Sequence, residues 1–186
     1  DPIEYEIPAV RQVHIRHTHG VTFASGLRSA LRQDPDVIMV GEIRDEETAR
    51  VAMHTALTGH LVLSTLHTNN ALEAIPRLID MGVDKYILAS TLKLVVAQRL
   101  VRALCHECFA EGCSSCRNTG YRGRSVIAEV CVIDPEMKAY IAQGSTSADC
   151  MAHARLQGFK PLIEDGYEKV EWGITTREEV TRVLSE

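Results

Sequence analysis

Two short apolar runs, each closed by polar residues, constrain this chain more than any other feature. Val37-Ile38-Met39-Val40 leads into Gly41-Glu42-Ile43-Arg44, and Leu61-Val62-Leu63-Ser64-Thr65-Leu66 leads into His67-Thr68. Runs of this length, bounded by turn residues, read as strands buried on both faces. Between them Asp45 is placed to cap a helix, with Glu46 and Glu47 in its first turn near the positive end of the dipole. That helix is expected to run to about Thr58 and to end at Gly59. Strand, helix and strand in this order predict parallel pairing in an α/β sheet. Ligands of such sheets bind beyond the carboxyl ends of the strands. Glu42, Arg44, Thr65, His67 and Thr68 are therefore the first places to look for chemistry.

The remaining pattern extends this core. Val13-His14-Ile15-Arg16 alternates like a half-buried strand, and Thr22–Arg32 carries Phe23, Leu27, Ala30 and Leu31 at helical spacing. Asp34-Pro35 ends that helix, because proline disfavours a helical residue before it. Helices are expected at about Asn70–Met81 and Asp84–Ala97, split by Gly82. Arg124–Ile133 reads as a strand. Asp134-Pro135 is a helix start, with a cap followed by proline at the first helical position. The rest is helical, with breaks at Gly144, at Gly158 to Pro161 and at Gly173, and with a capping box of Thr175 and Glu178. No internal repeat stands out. The expected division is 1–104 for the α/β core, 105–133 for a cysteine module with its following strand, and 134–186 for a helical region. The chain opens on Asp1-Pro2 without a methionine, and reads as a fragment.

Twenty Lys and Arg stand against 25 Asp and Glu, a formal charge of −5. Such an acidic domain is a poor ligand for nucleic-acid phosphates or for anionic lipid. No apolar run is long enough to cross a bilayer; the best, Ile87–Val96, is broken by Ser90, Thr91 and Lys93.

Glu42 and Arg44 carry the sharpest chemical signal. Nucleotide hydrolysis needs a carboxylate near the metal ion or the attacking water, and a cation near the transferred phosphate. The same two residues equally suit a strand-end ion pair. His67 would stand beside Glu42 if the two strands are neighbours, where it could contact a phosphate or serve a structural role. His14, His17 and His19 read as solvated strand and loop residues. Arg99 and Arg102 read as surface charge.

Four of the six cysteines form Cys105-x2-Cys108-x4-Cys113-x2-Cys116. Two CxxC pairs supply four thiolates, a common structural Zn²⁺ set, with redox-active or unmetallated thiols as the alternatives. The four-residue spacer is expected to strain a tetrahedral site. Cys131 and Cys150 read as plain thiols.

Taken together, the segments at Asp1–Glu4, Asp34–Asp45 and Thr58–Thr68 resemble the secretion ATPases of bacterial type II secretion and type IV pilus systems. They look like that family's aspartate box, its atypical Walker B segment and its histidine box. The resemblance implies a partial RecA-like parallel sheet, followed by a tetracysteine insertion and a small helical C-terminal region. It implies ATP and Mg²⁺ as ligands. Glu42, Glu4 and His67 would be catalytic, and Asp1, Arg44, His60 and Thr65 nucleotide-binding. It further implies homo-hexamers at the cytoplasmic face of the inner membrane, attached through platform proteins and driving assembly of a pseudopilus or pilus. The tetracysteine segment and Thr119–Arg124 resemble the assembly-type members, which usually separate the two cysteine pairs by a few tens of residues. The family's GxxxxGK[ST] phosphate loop is absent from this chain, so the fragment alone is expected to be inactive. From a different class, a non-catalytic zinc-ribbon adaptor is the alternative.

Overall fold

A computed structural model describes residues 3, 5–15 and 20–185. In chain order the elements are α1 (Phe23–Ala30), a 3₁₀ turn (Leu31–Gln33), β1 (Val37–Val40), α2 (Glu46–Leu57), β2 (Leu61–Ser64), α3 (Ala74–Asp80), α4 (Lys85–Thr91), β3 (Leu94–Leu104), β4 (Tyr121–Val132), α5 (Pro135–Gln143), α6 (Ser147–Leu156), α7 (Leu162–Glu171) and α8 (Arg177–Leu184). They form two compact units. One comprises Asp1–His67, Ala74–Leu92 and Lys138–Ser145; the other comprises Thr68–Glu73, Lys93–Met137 and Thr146–Glu186.

In the first unit β1 and β2 pair in parallel, Val37 opposite Leu61 through Val40 opposite Ser64. This is the expected βαβ pairing. Asp45 caps α2 by accepting from the Thr48 amide, and the chain turns at Gly59, whose φ of +105° suits glycine. Ile38 and Val40 point into a core built with Phe23, Leu27, Ala49, Ala52, Leu78 and Leu88. The expectation of strands buried on both faces is corrected here. Val37, Met39, Leu61 and Leu63 are exposed. Among the described residues, one face of the pair carries helices and the other does not. Residues 13–15 form no strand, and Arg16 lies outside the described residues.

The second unit is built on a long antiparallel ribbon, β3 against β4, with Leu94 opposite Val132 and Arg102 opposite Arg124. The helix expected to run through Ala97 instead stops at Thr91, and Leu94-Val95-Val96 joins the ribbon. Alternation sets its two faces. Val101, Ile127, Glu129 and Cys131 are buried on one side, while Leu94, Val96, Leu100, Val126, Val130 and Val132 are exposed on the other. Helices α7 and α8 pack against the ribbon. They approach each other so closely that a Cβ on Gly166 would lie 2.7 Å from Val180 Cγ1. Thr176, one residue later than expected, caps α8 by accepting from the Glu179 amide. Thr175 instead donates to the Arg102 carbonyl.

Candidate functional site

At the carboxyl end of β1 the chain turns through Gly41 and delivers Glu42, whose side chain is 9% exposed. The ends of the two strands are tied together: Ile43 N donates to Thr65 O at 3.0 Å, and Thr65 Oγ1 donates to Gly41 O at 2.6 Å. This crossing sets His67 beside the carboxylate. His67 Nε2 lies 3.4 Å from Glu42 Oε2, and the Arg44 guanidinium pairs with Oε1. The His67 side chain is 90% exposed. A largely buried acid is thus held by one cation and one imidazole, both open to solvent. Such a group can order a water or a cation against a phosphate without collapsing onto its neighbours.

The structure brings Glu42, Arg44, Thr65 and His67 together. It does not bring His60 to them. His60 precedes β2, at the opposite end of that strand, where Nδ1 lies 3.1 Å from Thr55 O and 3.2 Å from Thr58 Oγ1. Asp1 and Glu4 lie outside the described residues, as do His17 and His19.

A second candidate centre fills the connection between β3 and β4. The Sγ atoms of Cys105, Cys108, Cys113 and Cys116 all lie within 4.8 Å of one another. Cys105–Cys113, Cys108–Cys116 and Cys113–Cys116 are 3.8, 3.7 and 3.8 Å apart. A tetrahedron with metal–sulfur bonds of about 2.3 Å has sulfur–sulfur edges of about 3.8 Å. The short spacer therefore does not hold the pairs apart. The reason is an eight-residue repeat that the sequence reading overlooked: Cys105-x2-Cys108-x3-Gly112 is followed at once by Cys113-x2-Cys116-x3-Gly120. In each copy two residues after the second cysteine, Phe109 and Ala110 or Arg117 and Asn118, take positive φ. Each closing glycine then donates its amide to the second cysteine, Gly112 to Cys108 Sγ and Gly120 to Cys116 Sγ, both at 3.3 Å. Amides aimed at sulfur favour the thiolate. Burial pushes the Cys116 thiol up, but the amides of Cys113 and Gly120, with help from Cys108 and Cys113, outweigh it and bring it down to about 6. Cys108 is pushed up to about 12, by burial first and then by the neighbouring thiols, against the Gly112 amide.

The base of this module is locked by a cluster that includes Arg102, which the sequence suggests is surface charge. Glu179, on α8 and fully buried, accepts from Arg102 N, Nε and Nη2 and from Arg182 Nε and Nη2. Arg102 stacks on Tyr121 at 4.3 Å, and the Tyr121 hydroxyl meets Thr176 Oγ1 at 2.9 Å. A carboxylate buried this deeply must be paired.

The fold is thus that of an α/β protein whose polar groups gather at the carboxyl edge of a parallel pair, the place where ligands of such sheets bind, and it carries a tetrathiol module. The family described as type II/IV secretion system protein matches residues 1–182. The chain belongs to that family. It is 48% identical over 191 residues to the type II secretion system protein HxcR of Pseudomonas aeruginosa, covering 98% of this chain and 41% of that protein. It is 45% identical over 207 residues to the type IV pilus assembly ATPase PilB of Thermus thermophilus, covering 97% of this chain and 23% of that one. Among solved structures, the pilus retraction motor PilT with bound ADP superposes with a TM-score of 0.69 at 29% identity, over 87% of this chain and 43% of that chain. The ATPase DotB of Legionella pneumophila gives 0.68 at 29%, over 88% and 42%. The chain thus spans less than half the length of these relatives. Among the described residues, no helix is long and apolar enough to cross a membrane.

Proposed function

We propose that this chain is part of an ATP-hydrolysing motor that drives assembly of a pseudopilus in type II secretion. The observation that carries the reading is Glu42, a nearly buried carboxylate at the end of β1, set between Arg44 and His67. Glu42 would hold the attacking water, or the Mg²⁺ that accompanies ATP, and His67 and Arg44 would face the phosphates. Thr65 would contribute by fixing the strand ends, and Glu4 and Asp1 would add carboxylates from the preceding segment. His60 would bear on the nucleotide only from the far end of β2. Pilus assembly is the second reading, favoured by the 45% identity to a pilus assembly ATPase. In either case we infer a homo-hexamer on the cytoplasmic face of the inner membrane, attached through platform proteins.

The four thiolates of the cysteine module fit Zn²⁺ in their number, chemistry and mutual distances. The ion would close the connection between β3 and β4 and take no part in hydrolysis. The division at 104 and 133 would then separate the ATPase sheet, the metal module and the helical region.

The test is Glu42→Gln in the whole protein that contains this chain. The substitution keeps the size and removes the charge. ATP hydrolysis should be lost while ATP binding persists; turnover at the wild-type rate would make Glu42 structural.

A further inference from the structure

The connection between β3 and β4 has little to hold it besides its cysteines. Phe109, its one large apolar side chain, is 74% exposed. The ribbon beneath it is irregular as well. Arg102 pairs with Arg124 and Leu104 with Tyr121, so one residue of β3 stands against two of β4 where the module begins.

What steadies this base comes from the turn between α7 and α8. Along a strand, the N–H and C=O of one residue and those of the residue two further on point to the same side. On that side of β3 three backbone groups are taken up by residues 174–179. Arg102 N donates to Glu179 Oε1 at 3.0 Å, Thr175 Oγ1 donates to Arg102 O at 2.8 Å, and Leu104 N donates to Ile174 O at 2.8 Å. The next residue is Cys105, the first of the four thiols, and its own amide donates to Gly120 O at 2.9 Å. Gly120 is the glycine whose amide meets Cys116 Sγ, and Tyr121 follows it. The Tyr121 ring lies under the Arg102 guanidinium, and its hydroxyl reaches Thr176 Oγ1. Residues 174–179 thus hold both stems of the module, at the step where the ribbon's own register breaks.

We propose that the turn 174–176, with Glu179, is a positioning element for the metal centre: it fixes the two stems at the separation at which the four thiolates meet, and so raises the affinity for Zn²⁺. This rests on the reading of the cysteine module as a zinc site. A loop whose ends are already held needs less ordering when the metal binds, and the smaller ordering cost appears as tighter binding. Coupling of this kind is reciprocal, so the metal steadies α8 as much as α8 steadies the metal.

The same unit supplies a matched control. Glu129 is a second buried carboxylate, on β4 opposite Ala97, and it accepts from Ala71 N at 2.5 Å and from Leu162 N at 2.9 Å. Those bonds reach neither stem of the module.

The experiment measures the Zn²⁺ affinity of the whole protein by competition with a chelator, for wild type, Glu179→Gln, Tyr121→Phe and Glu129→Gln, at a temperature where circular dichroism shows each to be folded. Glu179→Gln should weaken binding by about tenfold or more, the range in which supporting residues act on metal sites. Tyr121→Phe keeps the ring, loses only the bond to Thr176, and should weaken binding by about three- to tenfold. Glu129→Gln should lower the melting temperature and leave the affinity within about twofold of wild type, as a change at a distant site does. Amide exchange gives the reciprocal check: removing zinc should loosen residues 174–184 together with the module. If Glu179→Gln does not fold, Tyr121→Phe decides. If Glu129→Gln does not fold, Asp165→Asn, which loses the bond from Ala128 N, takes its place. Unchanged affinity in Glu179→Gln or Tyr121→Phe, an equal loss in the control, or protection of residues 174–184 that is the same with and without the metal overturns the inference. A wild-type protein that binds no zinc overturns the metal reading itself.

Discussion

Replacing Glu179 by Gln should weaken the second unit by an amount the structure allows to be worked out. The carboxylate has no exposure and accepts five bonds, three from Arg102 at 2.6–3.0 Å and two from Arg182 at 2.8 and 3.0 Å. Removing one partner of a buried pair costs about 3–5 kcal/mol. Two effects reduce this. The side chains of Arg102 and Arg182 are 49% and 47% exposed, so water takes up part of what they lose, and glutamine keeps one accepting oxygen. About 2–3 kcal/mol remains. For a chain of this size each kcal/mol moves the melting temperature by about 2–4 °C, so calorimetry at pH 7 should show a drop of about 5–10 °C. The pH dependence adds a second check. The bonds from Arg182, then those from Arg102, hold the Glu179 carboxyl well below its ordinary 4.5, against the opposing effect of burial. A depressed carboxylate stabilises the fold above its unfolded value, and that stability is lost as pH falls toward the folded one. The gap between wild type and variant should therefore be full at pH 7 and narrow steadily below 4.5. A drop under about 2 °C, or a gap that does not change with pH, would refute the assignment of the ion pair as the lock between α8 and β3.

Purified protein should carry about one equivalent of zinc, and chelation should loosen residues 105–120 while α1 to α4 keep their amide protection; less than about half an equivalent sinks the single-site reading. Gly120→Ala should reduce zinc retention, because the new Cβ would lie 2.6 Å from Ala110 O at a φ of +76°; unaltered zinc content at equal chelator would contradict this. Gly166→Ala should destabilise by about 1–3 kcal/mol despite alanine's higher helix propensity, since its Cβ would meet Val180 Cγ1 at 2.7 Å; a raised melting temperature would show that α7 and α8 part freely.

Much of the first unit was legible because local chemistry and global fold agree there. Asp45, Gly59 and Asp34-Pro35 punctuate the chain where the elements turn, and the two apolar runs pair as their order requires. What failed was face and boundary. The run Ile87–Val96 reads as one apolar stretch, yet α4 ends at Thr91 and strand β3 opens at Leu94. Only the cross-strand partners Val130, Cys131 and Val132, more than thirty residues on, decide that boundary. Likewise, nothing in Val37–Val40 distinguishes a strand covered on two faces from one covered on one. At the site, Glu42 and His67 were legible from strand-end position. Glu129 and Glu179 were not, because each acts on backbone or side chains remote in sequence.

The doubled CxxCxxxG unit also bears on how long a spacer between the two cysteine pairs could be. In each copy backbone amides are aimed at the second cysteine, from Gly112 to Cys108 Sγ and from Cys113 and Gly120 to Cys116 Sγ, so none of these bonds runs from one copy to the other. Residues inserted between Gly112 and Cys113 lengthen a loop whose ends are already held together. Closing a loop twice as long costs only about 0.6 kcal/mol more. A module of this kind can gain or lose an excursion of tens of residues by small steps, each nearly neutral in stability. The spacer can thus vary in length while the ribbon beneath keeps its register.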